Sequence, residues 1–134
     1  NMAQTFTKDE RLCSIKEITA LVKDGHVLFQ YPFRVTYILK ESQVQADDSN
    51  SHISCKLLIS VPKKNFKRAV HRNLLKRRIR ESYRKNKGLL TPPAGKTANI
   101  MLVYVSKDIL EYKYIESKIR DILGKVSKEV AQDC

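Results

Sequence analysis

The chain has no apolar run approaching the roughly 18 residues that span a bilayer, and its first residues, NMAQTFTKDER, lack the apolar core of a signal peptide. Both absences point to a protein of the cytoplasm with no membrane-spanning segment. Its three cysteines, Cys13, Cys55 and Cys134, stand far apart with no Cys-x-x-Cys pair. That spacing excludes a disulfide framework or a thiolate zinc site and fits free thiols in a reducing compartment. His26, His52 and His71 share no metal-ligand spacing, the acids are scattered, and there is no phosphate-cradling glycine-rich loop with a lysine. A nuclease that cuts with its own side chains clusters carboxylates for metal ions or sets a histidine beside a nucleophile. Neither pattern is legible, so no catalytic residue and no protein-held metal are expected. Internal repeats and low-complexity tracts are missing too.

Acid is what one segment lacks most. Between Lys63 and Lys87, twelve Lys and Arg stand against a single acid, Glu81. The segment carries +11 of the chain's formal net charge of +12, leaving 14 basic and 13 acidic residues elsewhere. Charge so concentrated points to a polyanionic partner. With 134 residues, 42% of them hydrophobic, the chain has the length and apolar content of one folded domain over 1–134. Residues 1–12 read as an extended leading segment.

Ser14-Ile-Lys-Glu17 has the form of a capping box, and Ile15, Ile18, Leu21 and Val22 follow at helical spacing up to Gly25. A first helix is expected over about 14–23. FRVTYIL, from Phe33 to Leu39, alternates so that Phe33, Val35, Tyr37 and Leu39 share a face. HISCKLLISV, from His52 to Val61, reads as a second strand, paired with the first as an antiparallel hairpin across the polar loop at 45–51. The basic segment reads as a helix over about 67–87 that stops at Gly88. ANIMLVYV, from Ala98 to Val105, is nearly all apolar and is expected to be a central strand. A last amphipathic helix covers about 111–130. Helix, strands, helix, strand, helix makes an α+β protein, a two-layer α/β sandwich with helices packed on a sheet.

On a helical wheel Ala69, Arg72, Asn73, Lys76, Arg77, Arg80 and Arg84 fall within an arc of about 140°, while Leu75, Ile79 and Tyr83 are placed to dock on the sheet. A solvated surface helix normally mixes charges of both signs. Here Arg72–Lys76, Lys76–Arg80 and Arg80–Arg84 repel one another at i, i+4 unless an anion relieves them. Arginine forks match phosphate oxygens, and Asn73 among them suits a 2′-hydroxyl or a base edge. The charge pattern leaves DNA and RNA both open. Phe33 and Tyr37 could stack unpaired bases, favouring RNA or a single strand, or could simply fill the core.

Ala69, Arg72, Asn73, Lys76, Arg77, Arg80 and Tyr83 stand in the order A-x-x-R-N-x-x-K-R-x-x-R-x-x-aromatic. This resembles the signature helix of the bacterial ribonuclease P protein component, and all seven specified positions are present. Phe6 to Leu12 and the Ser60-Val-Pro-Lys63-Lys64 approach to the helix are similar to that family as well. The resemblance implies a ribosomal-protein-like sandwich with a left-handed crossover, against the usual hand. It implies a subunit that binds a large catalytic RNA and the 5′ leader of precursor tRNA, the RNA and its Mg²⁺ ions performing the cleavage. Contacts to the catalytic RNA would fall to Arg72, Asn73, Lys76, Arg77 and Arg80, with Lys63, Lys64, Arg68 and Arg84 beside them. The leader would lie in a cleft between the first helix and the sheet, near Arg11, Ile18, Val22, Phe33 and Tyr37. Where the family often has aromatics on the first helix, this chain has Ile18 and Val22. The free protein is expected to be a monomer. A structural RNA-binder on the same fold, such as a ribosomal or assembly protein, is the second reading, and a membrane-surface helix ranks last because Leu75, Ile79 and Tyr83 are needed by the core.

Overall fold

A computed structural model describes residues 15–41, 55–92 and 95–132. Arg11, Cys13, the capping residue Ser14, the loop at 45–51, His52 and Cys134 lie outside those residues. The elements are α1 (Ile15–Asp24), β1 (His26–Gln30), β2 (Phe33–Glu41), β3 (Cys55–Ser60), α2 (Ala69–Asn86), β4 (Lys96–Tyr104) and α3 (Tyr112–Gln132), with a short 3₁₀ turn at Lys87–Leu89. Gly88 therefore sits inside a tightened last turn, and the basic helix itself runs to Asn86.

The four strands form one sheet in the order β1-β2-β4-β3. The expected hairpin between β2 and β3 is not formed. β4 lies between them, antiparallel to β2 (Tyr37 opposite Ile100) and parallel to β3 (Leu57 opposite Ile100). Two facts account for this. β4 is the most continuously apolar strand, so the centre of the sheet, where both faces are covered, suits it best. The β3–α2–β4 connection is a helical crossover, which joins parallel neighbours. β1 goes unread in the sequence because HVLFQ is only five residues long and mostly exposed. It pairs with β2 through a two-residue turn at Tyr31-Pro32, which contains a cis peptide bond.

Alternation divides the sheet into two unlike faces. Phe33, Val35 and Tyr37 of β2, Leu57 of β3 and Ala98, Ile100, Leu102 and Tyr104 of β4 pack beneath α2 and α3 in one hydrophobic core. Phe33 meets Tyr104 edge-on at 5.7 Å between ring centres, and Phe66 lies tilted against Tyr104 at 5.9 Å. α1 lies on the opposite face, against β2 and β4. Its Leu21 is fully buried there, outside the main core. The approach is close at Gly25, where a Cβ would stand 2.3 Å from the Leu21 carbonyl oxygen and 2.7 Å from Thr36 Cγ2. Only glycine lets α1 turn into β1 at that point.

Candidate nucleic-acid interface

α2 is held by its buried stripe and by polar pins to α3. Leu75, Ile79, Ser82, Tyr83 and Asn86 are buried. Asn86 donates from Nδ2 to the Ser82 carbonyl (2.8 Å) and to Glu116 (3.0 Å), and accepts from Arg120 (2.6 Å). Arg78 donates to the Leu110 carbonyl at 2.5 Å. Arg78 and Arg120 thus serve packing, while the outer face of α2 keeps a fixed position relative to the sheet.

Buried packing rotates that outer face away from the arc expected from the wheel. At 100° per residue, Arg72 lies only about 40° from the centre of the buried stripe, whereas Arg77 lies nearly opposite it, at about 180°. Arg72 is accordingly half-buried and turned inward. Its Nη1 donates to the carbonyls of Phe66 (2.8 Å) and Lys67 (2.9 Å), bracing the segment that leads into the helix. Asn73 and Arg77 are exposed, and Lys76 and Arg80 are half-exposed. Among the described residues none of these four meets an acid. Exposed Lys63, Lys64, Lys67 and Arg68 line the segment before α2, where no acid occupies the first helical turn.

Arg84 differs from its neighbours. It forms a two-pronged ion pair with Glu81, at 3.0 Å from Nε and 2.6 Å from Nη2, and Lys85 stands 3.9 Å from the same carboxylate. The Arg84 hydrogen bonds hold Glu81 below the usual carboxylate range, and Glu81 in turn pushes Arg84 up. Arg84 is therefore masked through the neutral pH range. The cationic line that remains open is Arg68, Lys76, Arg77 and Arg80, with Asn73 among them.

The second group of expected residues does not come together. Ile18 is half-buried and Val22 exposed, one turn apart on one flank of α1. Phe33 and Tyr37, expected beside them, lie on the other side of the sheet. Phe33 is fully buried and Tyr37 is 5% exposed, with the Tyr37 hydroxyl donating to Glu129 of α3 at 3.1 Å. Core packing claims both rings, so neither lines a cleft beneath α1. The residues that do share the α1 face are the alternate ones: Val27 and Phe29 of β1, Arg34 and Thr36 of β2, Met101 and Val103 of β4. The same alternation that grouped Phe33 with Tyr37 groups Arg34 with Thr36. It was therefore a signal for this set, but it did not say which face α1 would cover. Asn99 lies on the α1 face too, 1% exposed, and neither polar atom of its side chain has a partner among the described residues. Lys56, opposite Asn99, is tied to Glu17 of α1 at 3.5 Å.

Among the described residues no three His, Cys, Asp or Glu side chains gather where they could hold a metal ion. No helix among them is long and apolar enough to cross a membrane.

Comparison with known proteins gives this surface its context. The family model for ribonuclease P matches residues 6–127. The ribonuclease P protein component of Porphyromonas gingivalis is 34% identical over 128 residues, covering 93% of this chain and 88% of that protein. The corresponding protein of Marinobacter nauticus is 30% identical over 130 residues, covering 97% and 88%. Among solved structures, the RNase P protein from Thermotoga maritima superposes with a TM-score of 0.66 at 24% identity, covering 87% of this chain and 96% of that one. The Staphylococcus aureus RNase P protein gives 0.62 at 23% identity, covering 90% and 97%. Those structures speak for the fold, and the family match extends over nearly the whole chain. A cationic helix pinned to an α+β sandwich therefore has a place: this chain belongs to the ribonuclease P protein component family, subunits that work with an RNA partner in an endoribonuclease of tRNA processing.

Proposed function

We propose that the outer face of α2 binds the catalytic RNA of ribonuclease P, and that the α1 side of the sheet receives the single-stranded 5′ leader of precursor tRNA during endonucleolytic 5′ maturation. The observation that carries this reading is the group of cations that meet no acid among the described residues, Lys76, Arg77 and Arg80 on α2 with Arg68 just before it, on a helix fixed by Asn86 and Arg78 to the rest of the molecule. Repelling charges held in one rigid array are relieved by phosphates of matching spacing, and no ordering of the helix is required on binding. Asn73 within the array offers a donor and an acceptor to a 2′-hydroxyl.

In this reading the protein contributes electrostatics and positioning. A catalytic RNA and a tRNA precursor repel each other through their phosphates, and the α2 array lowers that repulsion while steering their encounter. Mg²⁺, which would supply the hydrolytic chemistry when bound, is assigned in this proposal to the RNA, while the protein presents it with a cationic face. The free protein acts as a cytoplasmic monomer that joins the RNA on assembly.

The test is reconstitution. Adding the protein to its cognate catalytic RNA restores cleavage of precursor tRNA at Mg²⁺ concentrations too low for the RNA alone. Absence of rescue refutes the reading. Co-purification with ribosomal RNA instead of the catalytic RNA would reassign the chain to a structural role.

A further inference from the structure

Phe29 is the one described phenylalanine that the core does not use. It is 61% exposed on the edge strand β1, and its neighbour on the same face, Val27, is 68% exposed. The face is fixed by register. Val27 stands opposite Thr36, whose methyl group lies 2.7 Å from where a Cβ on Gly25, the residue after α1, would stand, and Phe29 stands opposite Arg34. Leu28 points the other way, opposite the buried Val35. Phe29 therefore lies on the same side of the sheet as α1. Next across that row comes half-buried Val103, paired with Arg34.

Three properties separate this patch from an incidental exposed ring. First, it combines a bare aromatic with a cation. Directly opposed residues in an antiparallel pair hold their Cβ atoms about 4.5–5.5 Å apart, and Arg34 is exposed and meets no acid among the described residues. Second, the hairpin is held rigid at its turn. Tyr31 Oη donates to Ser106 Oγ at 3.0 Å, the Val105 amide donates to the Pro32 carbonyl at 2.8 Å, and Lys125 of α3 reaches Gln30 at 2.7 Å. Third, α1 cannot supply a stacking ring, because its flank carries Ile18 and Val22.

We propose that Phe29 is a stacking platform for a base of the single-stranded leader, with Arg34 neutralising the adjoining phosphate, so that the edge strand and not α1 provides the aromatic contact to substrate. This rests on the reading that the leader crosses the α1 side of the sheet. Aromatic faces accept any base, and a neighbouring arginine completes the pattern of single-strand recognition. The contact consequently favours a long leader without selecting a sequence.

The test compares holoenzymes reconstituted with Phe29→Leu, Phe29→Tyr and unsubstituted protein, each bound to precursor tRNA with a long or a trimmed leader. Leucine keeps the apolar bulk and removes the π-face, so the ratio of long-leader to trimmed-leader affinity falls about tenfold, whereas tyrosine preserves it. Melting of each free variant reports whether the fold is intact. An unchanged ratio with Phe29→Leu, or equal losses for both leaders, overturns the proposal. A photo-crosslinking thiouridine in the leader separates the two ways of failing. Crosslinks to the β1–β2 hairpin with an unchanged ratio overturn the stack alone. Crosslinks that never reach the α1 side of the sheet overturn the leader reading, and the proposal with it.

Discussion

Replacing Arg72 and replacing Arg77 with alanine are expected to damage different things, although both residues belong to the same motif. Arg72 Nη1 makes two charge-assisted hydrogen bonds, at 2.8 and 2.9 Å, to the carbonyls of Phe66 and Lys67. A hydrogen bond to a charged group contributes about 1.5–3 kcal/mol, and the half-exposed setting places the pair near the lower end. Arg72→Ala is therefore expected to destabilise the free protein by about 2 kcal/mol, a fall in Tm of roughly 6 °C for a domain of this size. Arg77 points away from the core and has no partner among the described residues. Arg77→Ala changes stability by less than about 0.5 kcal/mol and acts on RNA binding directly. Each lost duplex-phosphate contact removes roughly 0.9 from the slope of log affinity against log salt. Thermal melts of the free protein, with binding to the catalytic RNA measured across a salt series, read both quantities. Arg72→Lys supplies the control, since it keeps the charge and loses the fork: stability falls and the salt slope stays near wild type. An Arg72→Ala variant that melts like the wild type while losing the same salt slope as Arg77→Ala would refute the inward, bracing role of Arg72.

Glu81→Gln is expected to release Arg84 to the RNA face, so the salt dependence of RNA binding steepens by up to roughly 0.9 and affinity rises at low salt; an unchanged slope would show that Arg84 does not face the RNA. Acid has the same effect only below the usual carboxylate range, because Arg84 lowers the Glu81 pKa. The pair adds to stability above the unfolded carboxylate pKa and loses that contribution as pH falls through the lowered folded value, so neither stability nor slope shifts from this source near neutrality. Asn99→Leu, of the same branched outline, is expected to stabilise the fold by about 1–2 kcal/mol, because a buried amide without partners among the described residues is replaced by an apolar group. Urea denaturation reads it, and a destabilised variant would show that the amide is satisfied in solution.

These predictions separate residues that the sequence treats alike, and the separation has a physical origin. A helical wheel is local, so the basic helix was legible, as was the docking of Leu75, Ile79 and Tyr83. The wheel does not fix how far the helix is rolled on its sheet. That roll decides that Arg72 braces Phe66 while Arg77 faces solvent, and it is set by the contact with α3, whose Glu116 and Arg120 hold Asn86. The central place of β4 was likewise legible from its apolar run. Its partners were not, because pairing β2 with β4 joins segments about 60 residues apart and no local turn announces it. The same limit governed the aromatics. Alternation shows that Phe33 and Tyr37 share a face, but which face α1 covers depends on a crossover encoded elsewhere in the chain. Burial then sorts the rings by use. Phe33 meets Tyr104 and Tyr37 reaches Glu129, so both are spent on the core. Phe29, at 61% more exposed than any other described phenylalanine or tyrosine, sits on β1, a strand too short and too exposed to show a period, and exposure of this kind is what the proposed stack requires.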